Sequence, residues 1–158
     1  MEMIILIGLQ GAGKSTFYRT YFAETHELVS KDLLRTSKNR NKNLRQTECI
    51  EEAFREHHAV VIDNTNVTVA ERVALIQLGK AYHVQVIGYY FEAGVKQCLE
   101  RNRGREGKMQ VPDKAIYITA ARLVRPTYAE GFDKLYYVQS GENGSFLIRE
   151  WVEEADLG

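Results

Sequence analysis

The chain has 158 residues, 44% of them hydrophobic and 27% charged, and its 21 lysines and arginines balance 21 aspartates and glutamates. That length fits a single domain, since about 150 residues suffice to hide roughly 70% of an unfolded chain's surface. No apolar run nears the ~18 residues of a membrane span, and a formal net charge of +0 argues against a surface that binds polyanions everywhere.

The first apolar run, Met3-Ile4-Ile5-Leu6-Ile7, reads as a strand. It is too short and too poor in leading basic residues for a signal peptide. It passes directly into Gly8-Leu9-Gln10-Gly11-Ala12-Gly13-Lys14-Ser15-Thr16, which satisfies the phosphate-loop pattern G-x-x-x-x-G-K-[ST] with its strand before and helix after. Without a Cβ, Gly8, Gly11 and Gly13 can take positive φ and turn backbone N–H groups onto an anion. A helix from Lys14 to about Ala23 adds its own free N–H groups and positive dipole end, with Ala12, Ser15 and Thr16 completing the cradle. Lys14 supplies a charge for the β- and γ-phosphates, and the Ser15 hydroxyl is placed to hold Mg²⁺. These residues predict a site for ATP and Mg²⁺; the plain structural alternative is a glycine-rich turn joining strand to helix.

Further strands are expected at His26–Ser30, Ala59–Asp63, His83–Phe91 and Lys134–Val138, alternating with helices. Such alternation predicts a three-layer α/β fold, a parallel sheet with helices on both faces. After the second strand come Lys31-Asp32-Leu33-Leu34-Arg35 and a polar stretch, then a helix over 44–57 with Ile50, Ala53, Phe54 and His57 on its apolar side. Thr68-Val69-Ala70-Glu71 is a capping box for a helix over 69–81, with Val69, Val73 and Ile76 toward the sheet. Val95, Cys98 and Leu99 mark another helix, ending in Arg101-Asn102-Arg103-Gly104-Arg105. Pro112 opens the next at its first position, with Ile116, Ala120 and Leu123 inward. Past a turn at 140–144, Phe146–Trp151 is read as a last strand pairing back antiparallel.

Ligands of parallel sheets collect at the carboxyl ends of the strands, so residues just past each strand carry the chemistry. A carboxylate at Asp32 can take the proton of an attacking hydroxyl while Arg35 holds an acceptor phosphate; the alternative is an N-cap aspartate paired with a surface arginine. Asp63, Asn64, Thr65 and Asn66 form the substrate-side set, with Asp63 reaching the Mg²⁺ shell, unless they are only turn chemistry leading to the Thr68 cap. Arg101 and Arg105 can neutralise charge on the transferring phosphoryl, although a basic helix end also suits the macrodipole at Arg101. Lys31, Arg35, Lys38, Arg40, Lys42 and Arg45 stand against the single acid Asp32, which makes the segment either an anion-binding surface or a solvated loop. Cys49 and Cys98 lack metal spacing, as do His26, His57, His58 and His83, so reduced thiols and structural histidines in a cytoplasmic protein are expected.

Taken together, Gly8–Thr16, Val29-Ser30-Lys31-Asp32 with Arg35, Asp63–Asn66, Arg101-Asn102 with Arg105, Val111-Pro112 and Pro126–Phe132 resemble the 5′-hydroxyl polynucleotide kinases. The resemblance covers most of the chain. It implies the phosphate-loop kinase fold, a five-stranded, mainly parallel sheet in order 2-3-1-4-5, and an arginine-bearing lid near 101–112. It also implies Asp32 as general base, Arg35 as ligand of the phosphate next to the 5′-hydroxyl, Lys14 and Ser15 as triphosphate and metal ligands, and Arg105 with Arg101 at the donor. No D-x-D-x-T run accompanies the kinase motifs, so healing of a 3′ end would fall to a separate phosphatase. The expectation is a soluble ATP- and Mg²⁺-dependent kinase acting on 5′-hydroxyl ends of RNA or DNA, without a membrane partner. Its rivals are a kinase of a nucleoside or other small metabolite on the same scaffold, and a nucleotide-gated binding module with slow ATPase activity.

Overall fold

Strand β1 (Glu2–Ile7) explains why the chain folds around its first residues. Met3, Ile5 and Ile7 point into one apolar cluster, Ile4 and Leu6 into another, and all five are fully buried. A strand apolar on both faces belongs at the centre of a parallel sheet covered on both sides. The computed structural model describes residues 1–34, 41–107 and 110–153 and puts β1 there.

The sheet order is β2-β3-β1-β4-β5-β6, with β2 (His26–Val29), β3 (Ala59–Asp63), β4 (Gln85–Phe91), β5 (Lys134–Ser140) and β6 (Phe146–Glu150). The first five run parallel, and β6 pairs antiparallel with β5 from Tyr136↔Glu150 to Ser140↔Phe146. The expected order 2-3-1-4-5 is therefore present, and the closing hairpin extends it to six strands. Ile50, Ala53 and Phe54 of α2 (Lys42–Arg55) and Leu75 and Ile76 of α3 (Val69–Ala81) pack on one face. Phe17 of α1 (Lys14–Tyr21), Cys98 and Leu99 of α4 (Val95–Arg103) and Ile116 of α5 (Asp113–Arg122) pack on the other. The result is the three-layer phosphate-loop kinase fold.

Several local expectations shift for physical reasons. His57 and His83 adopt φ of 62° and 58°, so each ends a turn after a helix: α2 stops before the first, and β4 starts only after the second. Pro112 is the N-cap of α5 and not its first helical residue. On α3 the inward face is Arg72, Leu75, Ile76 and Gly79, while Val69 is exposed. Arg72 occupies a core position because its guanidinium is paired: Nε donates to Glu130 Oε1 at 2.6 Å, Nη2 to Glu130 Oε2 at 3.1 Å, and Nη1 to the Asn66 carbonyl at 3.1 Å. Among the described residues no helix is long and apolar enough to cross a membrane.

Candidate active site

The strand order reverses direction of growth on either side of β1, and there the carboxyl ends of β1, β2 and β3 open into a cleft of about 970 Å³. Its floor is the Gly8–Thr16 loop. Gly11 and Gly13 have φ of 82° and 101°, with Gly13 as N-cap of α1. Gly8 is a glycine for another reason: its φ is ordinary, but a Cβ would come within 3.0 Å of Phe91 Cβ. At Gly11 the space is closed too, since a Cβ would meet the Cys98 carbonyl oxygen at 2.7 Å.

Lys14 is buried, and its ammonium donates to the loop's own carbonyls, Gly8 O at 3.0 Å and Leu9 O at 2.8 Å. Burial pushes its pKa down from 10.5 to about 8, against the opposing pull of Asp63. A buried cation held by two neutral carbonyls has spare capacity for an anion. Beside it, Ser15 Oγ donates to Asp63 Oδ2 at 2.8 Å. A hydroxyl and a carboxylate oxygen are hard donors of the kind Mg²⁺ takes, so this pair fits the ion that the loop implies.

Asp32 sits in the 3₁₀ turn Lys31–Leu33 and lines the same cleft. The cap of that turn is Ser30, whose Oγ accepts from the Asp32 N–H at 3.3 Å. Asp32 therefore does not serve as N-cap, and its exposed carboxylate makes no hydrogen bond among the described residues. Arg35, Lys38 and Arg40 lie outside the described residues, whereas Lys42 also lines the cleft.

The residues after β3 divide between the cleft and the frame around it. Asp63, Asn64 and Thr65 line the cavity. Asn64 also ties two segments together, accepting from the Lys31 N–H at 2.9 Å and donating to Gln46 Oε1 at 2.6 Å. Thr65 O accepts from the Gly8 N–H at 3.0 Å, fastening this segment to the phosphate loop. Asn66 is buried below it, with φ of 49° and its side-chain amide donating to Leu6 O at 2.8 Å. Its side chain braces β1 against β3 and is not part of the cleft wall.

On the opposite wall, Arg101 Nη1 donates to Ser140 Oγ at 3.2 Å and Gly11 O at 3.4 Å, so the end of α4 leans on the loop. Arg105 lines the cleft, and its Nη1 is buried without a hydrogen-bond partner among the described residues. Sequence reasoning missed Ser140 and Gln10. Ser140 Oγ reaches Ala12 O at 3.4 Å, and Gln10 Nε2 donates to Thr119 Oγ1 at 2.9 Å, joining the loop to α5. Gln10 lies inside the loop pattern, but its partner is 109 residues away and no local signal announces it. The histidines are peripheral: His26 Nε2 is 2.8 Å from Glu2, and His58 Nδ1 is 2.9 Å from Glu27.

This loop, at the switch point of a parallel sheet with helices on both faces, defines a nucleotide-binding domain of the phosphate-loop kinase fold. Within that class the chain belongs to the AAA domain family, which matches residues 3–126. Its curated relatives include the bifunctional polynucleotide phosphatase/kinase of Schizosaccharomyces pombe, 27% identical over 138 residues that make up 83% of this chain and 32% of the relative. A protein of Acanthamoeba polyphaga mimivirus carrying the same name provisionally is 33% identical over 141 residues, 85% of this chain and 32% of its own length. The chain thus spans about a third of each of these relatives. The fold is also that of Chaetomium thermophilum Kti12 solved in complex with ADP-AlF3, with a TM-score of 0.67 and 17% identity over 90% of this chain and 92% of that one.

Proposed function

We propose that this kinase transfers the γ-phosphoryl of ATP to the 5′-hydroxyl end of a polynucleotide. The observation that carries the reading is Asp32: a carboxylate freed from capping by Ser30, facing the cleft that holds Lys14 and Ser15. A switch module that only hydrolyses nucleotide has no use for a carboxylate aimed at an acceptor. The names of the curated relatives support a polynucleotide as the acceptor.

In this reading the loop N–H groups and Lys14 grip the β- and γ-phosphates, the ammonium exchanging its two loop carbonyls for phosphate oxygens. Ser15, with Asp63 hydrogen-bonded to it, would hold Mg²⁺, which would neutralise charge on the triphosphate. Asp32 accepts the proton of the 5′-hydroxyl as that oxygen bonds to the γ-phosphorus. The bond from the γ-phosphorus to the β–γ bridging oxygen breaks, and ADP leaves. Arg105, with an unspent donor, meets the charge that develops on the transferring group, and Arg101 steadies the donor side. Arg35, by the family resemblance, takes the phosphate adjacent to the 5′-hydroxyl, and Lys42 adds a cation to the cleft lining.

Transfer from labelled ATP to 5′-hydroxyl oligonucleotides, nucleoside 3′-monophosphates, nucleosides and sugars tests this reading. The oligonucleotide is expected to have the highest kcat/KM and to lose affinity with salt by about 0.7 log units per log unit for each phosphate neutralised. A bare nucleoside or a sugar as best acceptor would replace the polynucleotide reading with a small-molecule one.

A further inference from the structure

Asn102 is a buried polar residue, 1% exposed, that the proposed chemistry does not use. Its side-chain amide is spent entirely on one backbone position: Nδ2 donates to Val111 O at 2.6 Å, and Oδ1 accepts from the Val111 N–H at 3.0 Å. The two bonds copy the exchange between paired strands. They hold Val111, two residues before α5, against the last turn of α4. Arg105 is on the segment between α4 and Val111, with its own N–H donating to the Asn102 carbonyl at 3.1 Å. Val111 and Arg105 both line the cleft, and Arg101, one residue before Asn102, rests on Gly11 and Ser140. The base of the segment is therefore anchored to the phosphate loop on one side and to α5 on the other.

We propose that Asn102 is a positioning residue for Arg105, setting where the guanidinium stands relative to the transferring phosphoryl through its clamp on Val111. The inference rests on the phosphoryl-transfer reading above, and on Arg105 acting in that step. An aspartate could keep the bond from the Val111 N–H but would turn an oxygen against the Val111 carbonyl. Only an amide satisfies both groups at once.

The test is a double-mutant cycle on the full chain, with kcat, KM for ATP and the unfolding temperature measured for Asn102→Ala, Arg105→Ala and the pair. Asn102→Ala is expected to lower kcat by about 10²-fold with KM for ATP within about twofold, and to cause no further loss once Arg105 is already alanine. Losses that multiply in the double variant, or kcat and KM that worsen together, would overturn the clamp and leave a merely structural asparagine. Should the alanine variant fail to fold, Asn102→Asp carries the same test with nearly the same shape, and full kcat in that variant contradicts the proposal. If Arg105→Ala itself retains full kcat, the fault lies with the role given to Arg105 in transfer, and the clamp falls with it.

Discussion

Ser15, on the first turn of α1, and Asp63, the last residue of β3, share a hydrogen bond of 2.8 Å although 48 residues separate them. The parallel pairing of β1 with β3, with Leu6 opposite Asp63, delivers the carboxylate to the loop. In the proposed kinase this pair would hold Mg²⁺. Asp63→Asn keeps a side chain able to bond to Ser15 but removes the charge. It is expected to raise the Mg²⁺ concentration for half-maximal transfer by about 10–100-fold, with little change in unfolding temperature. An unchanged Mg²⁺ requirement would detach Asp63 from the metal.

Lys14 carries a second prediction, tied to pH. Burial holds its pKa near 8, below its ordinary 10.5, so the ligand-free site loses the ammonium proton as pH rises through about 8. A bound triphosphate favours the charged form and draws the proton back. Nucleotide binding is therefore expected to take up close to one proton at about pH 9, and far less at pH 7, where Lys14 is already charged. Calorimetry in buffers of different ionisation enthalpy reads this directly. In the free protein the sign is also fixed: the unfolded chain binds the Lys14 proton more tightly, so this group's contribution to stability rises with pH between about 8 and 10.5. Uptake that is absent at pH 9, or equal at both pH values, would contradict this account of Lys14.

The pair Arg72–Glu130 separates stability from chemistry. With the two side chains 0% and 6% exposed, removing the carboxylate leaves a guanidinium buried without its partner. Glu130→Ala is expected to cost about 3–5 kcal/mol in denaturant unfolding, while the remaining folded protein keeps its kcat. A loss under about 1 kcal/mol would mean that Arg72 is served well enough by Asn66 O alone.

What the sequence made legible was local. The apolar run of β1, the glycines and lysine of the loop, and the Thr68 cap all announce themselves within a few residues, because each depends on short-range geometry. The cap is present, with Thr68 Oγ1 accepting from the Glu71 N–H at 3.3 Å, though the Glu71 carboxylate accepts from Arg122. What escaped depends on pairs brought together by the sheet. Nothing near Arg72 in the sequence marks it for the core, because its partner lies 58 positions later. Ser140 gained meaning only when β5 ended beside the loop, and the bond that Asn64, already a candidate, makes to Gln46 appeared only when α2 presented that residue. Asp32 was legible as a candidate, but that Ser30 relieves it of capping was not, since either residue could have filled that role.

The measurement that bears most directly on the central claim is transfer to a 5′-hydroxyl oligonucleotide by Asp32→Ala, taken with the affinity of the same variant for ATP. If Asp32 accepts the proton of the attacking hydroxyl, kcat falls by about 10²–10⁴-fold while ATP binds as tightly as to the parent. Transfer at a near-native rate, or a loss of ATP affinity that accounts for the whole defect, would contradict the role of Asp32 and with it the proposed kinase mechanism.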